Sequence, residues 1–330
     1  MEAGTADAAQ RAGRPRSESR GRSFRIGFSF AIASTIIGAA QPVLTRWGAV
    51  NVDPLLFCTG AVLFAALCAV CLLHLRGDLG LVFDPRYRAR LFAMSMAGTV
   101  MTSLLLAFGL TRIGAVAGVL LLQTEPVYSI VLATMVVGEQ PSARQITATV
   151  VILCGIASVF GAGGVFSPLW AAALIFATPL FWQISHAIGL KIMPPLTPAT
   201  ITGGRFIYGS VALTAILLAV RPGTLALLAN PTALAVILLT GFAVYFISAL
   251  TWYGAISRLS LTWTTALVVP GTPLLSILFA ILFLGEHASP REVTGILIAI
   301  TGVLALVLGA DAHRRHPPSE IAEAIHQPMN

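Results

Sequence analysis

Glu125 is a carboxylate set between two apolar runs, Ala115 to Leu122 and Val127 to Val137. A carboxyl group in such a setting can be protonated or ionised, and it exchanges its proton with whichever side water reaches it from. That is the chemistry of proton carriage. Gln123 and Thr124 stand beside it, and Pro126 follows, where the missing backbone N–H breaks a helix and frees carbonyl groups. Other polar residues interrupt apolar runs in the same way: Gln41 with Pro42, Gln183 with His186, Arg205, and Tyr245 with Ser248 and Thr251. An imidazole near the end of its run suits a second proton site or a substrate contact, and a guanidinium suits an anionic substrate group or a carboxylate partner. Trp182, Tyr245 and Trp252 offer stacking surface.

Each of these residues also has a plainer reading. Glu125 can stay protonated and lock the break beside Pro126, and His186 can serve as an interhelical hydrogen-bonding group. Arg205 can snorkel, and aromatic residues near run ends act as interfacial anchors. The spacings do not put all the polar groups on one helix face.

The elements that must position them are membrane helices. Charged residues are 10% of the chain and hydrophobic residues 57%, against about 25% charged in soluble domains. The expected class is an all-α polytopic membrane protein. A span needs about 20 mostly apolar residues. Charged and Pro/Gly breaks then divide the chain into ten expected transmembrane helices: Ile26 to Thr45, Pro54 to Leu75, Leu91 to Leu110, Ala115 to Val137, Gln145 to Gly161, Leu169 to Leu190, Ala199 to Val220, Thr232 to Ile256, Leu261 to Leu284 and Glu292 to Gly309. Two joints, Thr111 to Gly114 and Ser257 to Ser260, are short enough to require tight hairpins. Glu125 falls about 15 Å into its span and Arg205 about 9 Å into its own, at 1.5 Å per residue, so Glu125 sits near the middle of a core roughly 30 Å thick.

The second half of the chain repeats the first. At an offset of 147, residues 125 to 155 align without a gap with 272 to 302, matching Pro126 with Pro273, Gly138-Glu139 with Gly285-Glu286, Ser142 with Ser289, Arg144 with Arg291 and Gly155 with Gly302. The expected organisation is a tail at 1–25, a first five-helix repeat at 26–164, a second at 165–310 and a tail at 311–330. Five spans per unit insert the second copy upside down, the arrangement that gives a carrier two equivalent access states. Pro42, Pro126 and Pro273 are the expected helix breaks. The Gly-Glu pairs are expected to close hairpins, and Gly114, Gly118, Gly155 and Gly302 to let helices pack closely.

These motifs, Glu125-Pro126 with Gly138-Glu139, Ser142 and Arg144, and Thr272-Pro273 with Gly285-Glu286, Ser289 and Arg291, resemble the EamA-type carriers of the drug/metabolite transporter superfamily. The resemblance covers roughly residues 26 to 309. It implies ten helices in two inverted five-helix repeats and the export of amino acids or other metabolites, in some members in exchange for protons. The Arg-Phe pair that many repeats carry early in the second helix stands here as Arg205-Phe206, while the stretch near Gly60 in the first half has no arginine.

Cytoplasmic loops retain Lys and Arg. With the N-terminus inside, fifteen of the twenty basic residues fall on the inner side and four outside, Arg46, Arg112, Arg221 and Arg291. Both termini are therefore expected to be cytoplasmic in a multi-pass plasma-membrane protein. The Arg-rich first 25 residues read as a disordered tail without a cleavable signal, and Glu2, Asp7 and Glu18 argue against a transit peptide. The net charge of +7 suits anionic lipid and requires no nucleic acid. Cys58, Cys68, Cys71 and Cys154 lie inside spans and read as packing residues; Cys68, Cys71 and His74 share a face but offer three ligands, so no metal is expected. No phosphate-binding loop and no catalytic cluster is present, so neither a cofactor nor an enzyme activity is expected.

The expected function is secondary active export of a small metabolite, amino-acid-like, by alternating access with protons as coupling ion. Multidrug or lipophilic-cation efflux is the alternative within transport, and a polytopic membrane enzyme or lipid-handling protein the alternative outside it. Oligomeric state leaves no signature in the sequence.

Overall fold

The structure, a computed structural model, describes the backbone at residues 3–132, 134–135, 141–159, 167–193, 195–259 and 261–314. Side chains are described within 23–306 of those ranges, apart from 261–267 and 269–270. Gly138-Glu139 and the Gly161 to Gly164 joint lie outside the described residues.

The described residues form an all-helical bundle: α1 (Ala3–Asn51), α2 (Pro54–Arg76), the short α3 (Leu79–Phe83), α4 (Arg88–Gly109), α5 (Ala115–Leu132), α6 (Ala143–Ala157), α7 (Leu169–Ile192), α8 (Pro198–Val220), α9 (Pro231–Ile256), α10 (Leu261–Leu284) and α11 (Pro290–Arg314). Seven of these are long and apolar enough to cross a membrane; in α1 that stretch begins at Ser23. Ala143–Ala157 and Gly271–Leu284 are apolar but shorter. Residues 3–25, expected as a tail, are helical backbone continuous with α1.

Helix starts follow local chemistry. Asp53, Thr197 and Asn230 each cap a helix whose first residue is proline, and their side-chain oxygens accept from the first free N–H groups. The repeated serines do the same for the last helix of each half. Ser142 pairs with Gln145 in a capping box, and Ser289 with Glu292 in another. The helices that follow pack with almost no gap: a Cβ at Gly155 would stand 2.6 Å from the Gly295 carbonyl, and one at Gly302 2.9 Å from that of Ala148. The pairing of 155 with 295 and of 148 with 302 makes α6 and α11 antiparallel.

Two proline-containing spans expected to be alike differ. α5 is interrupted at Gln123 and Thr124, whose N–H groups reach back three residues to Leu120 and Leu121. Thr124 donates its hydroxyl to Leu121 O, tightening that turn. At the matching place in α10, Thr272 donates to Val268 O, four residues back, and the helix runs on through Pro273. The cysteines also divide: Cys58 is buried, but Cys71 and Cys154 are exposed on the bundle, so the packing expected of all four does not extend to those two.

The described ion pairs gather at one end. Asp53 accepts from Leu55 N and Leu56 N at the start of α2 and from Arg221 Nη1 at 2.6 Å, at the end of α8. Glu286, after α10, accepts from Ala115 N at 2.9 Å and Val116 N at 3.1 Å, and Arg46 Nε of α1 lies 3.7 Å from it. Gly114 has no side chain to cap α5, so a carboxylate from the other half of the chain does so. Gly285, at φ 64°, makes the left-handed turn that aims Glu286 there.

Removing that carboxylate leaves two buried N–H groups without an acceptor. Glu286→Ala is expected to cost about 1–3 kcal/mol, and Glu286→Gln, which keeps one acceptor oxygen, less. Thermal unfolding of the purified protein in detergent checks this; equal Tm for both variants and the parent would contradict it.

Candidate functional site

A cavity of about 210 Å³ lies in the bundle, lined by residues of α1, α4, α5, α7, α8, α9 and α10. The helices present it with polar stripes at helical spacing: Ser34, Gly38 and Gln41 on α1, Trp182 and His186 on α7, Tyr245, Ser248 and Trp252 on α9, and Val268, Thr272 and Ser276 on α10. Toward the end where Glu286 caps α5 lies a buried apolar cluster from both halves of the chain, including Leu110, Leu120, Ile175 and Ala280. Ala115 to Leu121 of α5 are all buried there, whereas Glu125–Leu132, beyond the break, buries none of its side chains.

Glu125 faces the cavity from the start of the second α5 segment. Gln183 Nε2 of α7 donates to its Oε1 at 2.8 Å, and no Lys, Arg or His is within ion-pair distance of it among the described residues. An amide donor holds the carboxyl in place without a counter-charge, since a protonated carboxyl and an ionised one can both accept that bond.

Arg205 enters from α8 opposite a widened π-helical turn of α4, Met96–Met101. That turn leaves oxygens turned toward α8. Arg205 Nε donates to Thr99 Oγ1 at 2.9 Å, and Nη2 to the Gly98 carbonyl. Ser95 returns a bond of 2.6 Å to the Arg205 carbonyl. A Cβ on Gly98 would collide with Ser185, so glycine permits the close approach. Arg205 is thus held in the cavity wall by neutral oxygens, without a carboxylate partner among the described residues.

His186 stacks on Trp252, ring centroids 5.6 Å apart. Tyr245 packs edge-on against Phe206, and its hydroxyl pairs with Ser103 at 3.3 Å. Gln41, Pro42, Gln123, Ser248 and Pro273 also line the cavity; Thr124, Pro126 and Gln183 do not, Gln183 acting through Glu125. Thr251 donates to carbonyls of its own helix. Lining residues that sequence reasoning passed over are Ser34, Thr102, Tyr253, Thr272 and Ser276. Their signal was available in the i, i+4, i+8 spacing on α10 and the i, i+4, i+7 spacing on α1.

Comparison with known proteins agrees with this architecture. A solved crystal structure of a protein superposes with a TM-score of 0.64 at 14% identity, covering 88% of this chain and 98% of that one, which is a likeness of fold. A protein of Streptantibioticus cattleyicolor described as a "probable terminal-alkyne amino-acid exporter" is 28% identical over 203 residues, 61% of this chain and 67% of that relative. An uncharacterized protein of Pseudomonas aeruginosa is 27% identical over 264 residues, 80% of this chain and 85% of the other. The family model for EamA-like transporters matches twice, at residues 25–161 and 169–308, and these two matches together take in nearly the whole apolar part of the chain. This multi-pass membrane protein belongs to the EamA-like transporter family.

Proposed function

We propose that this transporter is a secondary carrier that exports a small amino-acid-like metabolite by alternating access, with protons moving inward as the substrate leaves. The observation that carries the proposal is the pair of opposite charges on one cavity: Glu125, held by a neutral amide, and Arg205, held by neutral oxygens. A zwitterion has a group for each. A lipophilic cation is disfavoured because Arg205 would repel it. The aromatic wall of Trp182, Tyr245 and Trp252 suits an apolar side chain. The description of the Streptantibioticus cattleyicolor relative as an amino-acid exporter supports the same class and direction.

In this proposal Glu125 takes a proton when the cavity faces the acidic side and releases it when the cavity faces the other. The break at Gln123 and Thr124 is the hinge about which the segment bearing Glu125 moves. We further propose ten spans in two inverted units, 26–164 and 165–310, between tails at 1–25 and 311–330, with both termini cytoplasmic in the plasma membrane. The antiparallel contact of α6 with α11 supports the inversion. Under this topology the ion-paired end faces outward.

Glu125→Gln keeps size and hydrogen bonding and removes titration. In proteoliposomes the variant is expected to retain substrate exchange at equal pH and to lose all acceleration by a pH gradient, falling to the rate seen without one. Wild-type flux with an unchanged gradient response would sink the coupling role. For topology, single cysteines at Gly223 and Arg86, both exposed, are introduced into a chain lacking its native cysteines and treated with a membrane-impermeant thiol reagent in intact cells. Labelling at 223 and protection at 86 is expected; the reverse pattern would invert the assigned orientation.

A further inference from the structure

Two hydrogen-bond donors in the cavity wall meet no acceptor among the described residues. Tyr253 is 1% exposed, and its hydroxyl proton meets no acceptor; the indole Nε1 of Trp252 has no partner either. The other buried side-chain polar atoms without partners are threonine hydroxyls away from the cavity, whereas Tyr253 and Trp252 both line it. Arg205 lies beside Tyr253 and donates toward its oxygen, but a guanidinium only donates, so it cannot take the tyrosine's proton. Arg205 in turn has Nε and Nη2 engaged by Thr99 and Gly98 and no carboxylate within 4 Å among the described residues. Trp252 is stacked on the ring of His186.

Buried donors ordinarily have acceptors. One guanidinium beside a tyrosine hydroxyl, with an indole donor on the same cavity, matches a group that carries a single negative charge on two oxygens, because each oxygen accepts more than one bond and the arginine supplies the counter-charge. A second negative charge, as on a phosphate dianion, would stand uncompensated.

We infer that Arg205, Tyr253 and Trp252 form a carboxylate-binding subsite of the transport cavity. This rests on the zwitterion reading of the cavity and deepens it: the substrate's carboxylate sits at α8 and α9, and its ammonium faces Glu125 on α5.

The test reads Trp252 directly, independently of which substrate is carried. The protein, with its five tryptophans replaced biosynthetically by fluorotryptophan, is titrated in nanodiscs with butyrate and with butyramide, and Trp252→Phe assigns the resonance. Butyrate is expected to shift the Trp252 signal saturably while butyramide leaves it unmoved. Tyr253→Phe is expected to weaken butyrate binding roughly tenfold to a hundredfold, the loss of one hydrogen bond to a charged group. In parallel, proteoliposomes are assayed for L-propargylglycine and its carboxamide. The wild type is expected to prefer the acid, and Tyr253→Phe to raise the KM for the acid with little change in maximal rate or in carboxamide flux. A butyrate shift with no propargylglycine flux would uphold the subsite and discard the amino-acid reading. Equal response to butyrate and butyramide in the parent protein would overturn the subsite whatever the fate of the variants.

Discussion

An arginine inside an apolar bundle needs oxygens around it, and the widened turn of α4 supplies them. Thr99 and Gly98 receive Arg205, and the surrounding helices take positions that allow it: α8 lies against α4, and Ser185 of α7 fills the place a side chain on Gly98 would occupy. α9 has a π-helical turn of its own, Thr240–Ile247, facing α2. There, Gly241 rests directly on the carbonyl of Ala61. The two halves thus use one device for different ends. In one the turn brings backbones together, and in the other it holds a charge at the cavity wall.

The same rule, that a polar group away from water must find its partner in the chain, accounts for the ion-paired end. Glu286 and Asp53 each satisfy the N–H groups of a helix start and each attract an arginine from a different helix. Through Glu286 a loop of the second half secures the helix whose break carries Glu125. Motion of one half against the other that opens this end must separate Glu286 from α5.

Much of the architecture was legible in the sequence because it depends on local chemistry. Apolar run lengths located the helices, and the serines repeated at 142 and 289 mark capping boxes. Cap-proline pairs begin α2, α8 and α9 at or within a residue of the expected starts. What was not legible is non-local or depends on which face a side chain takes. Nothing in the spacing of Glu125 predicts that Gln183, in another helix, is its partner. Hydroxyls in apolar helices commonly bond to their own backbone, as Thr124 and Thr251 do, so residue type alone did not separate them from Ser34 or Ser276 on the cavity face. α5 breaks at Gln123 and Thr124 while α10 runs on through Pro273, a difference that the shared prolines conceal.

The central claim is that the cavity bearing Glu125 and Arg205 moves an amino-acid-like substrate against protons. Efflux of a labelled amino-acid panel from proteoliposomes, with and without an acidic exterior, tests it most directly. The account predicts that at least one member leaves faster when the exterior is acidified. If members of the panel are carried but none responds to the gradient, or if none is carried at all, the account is contradicted.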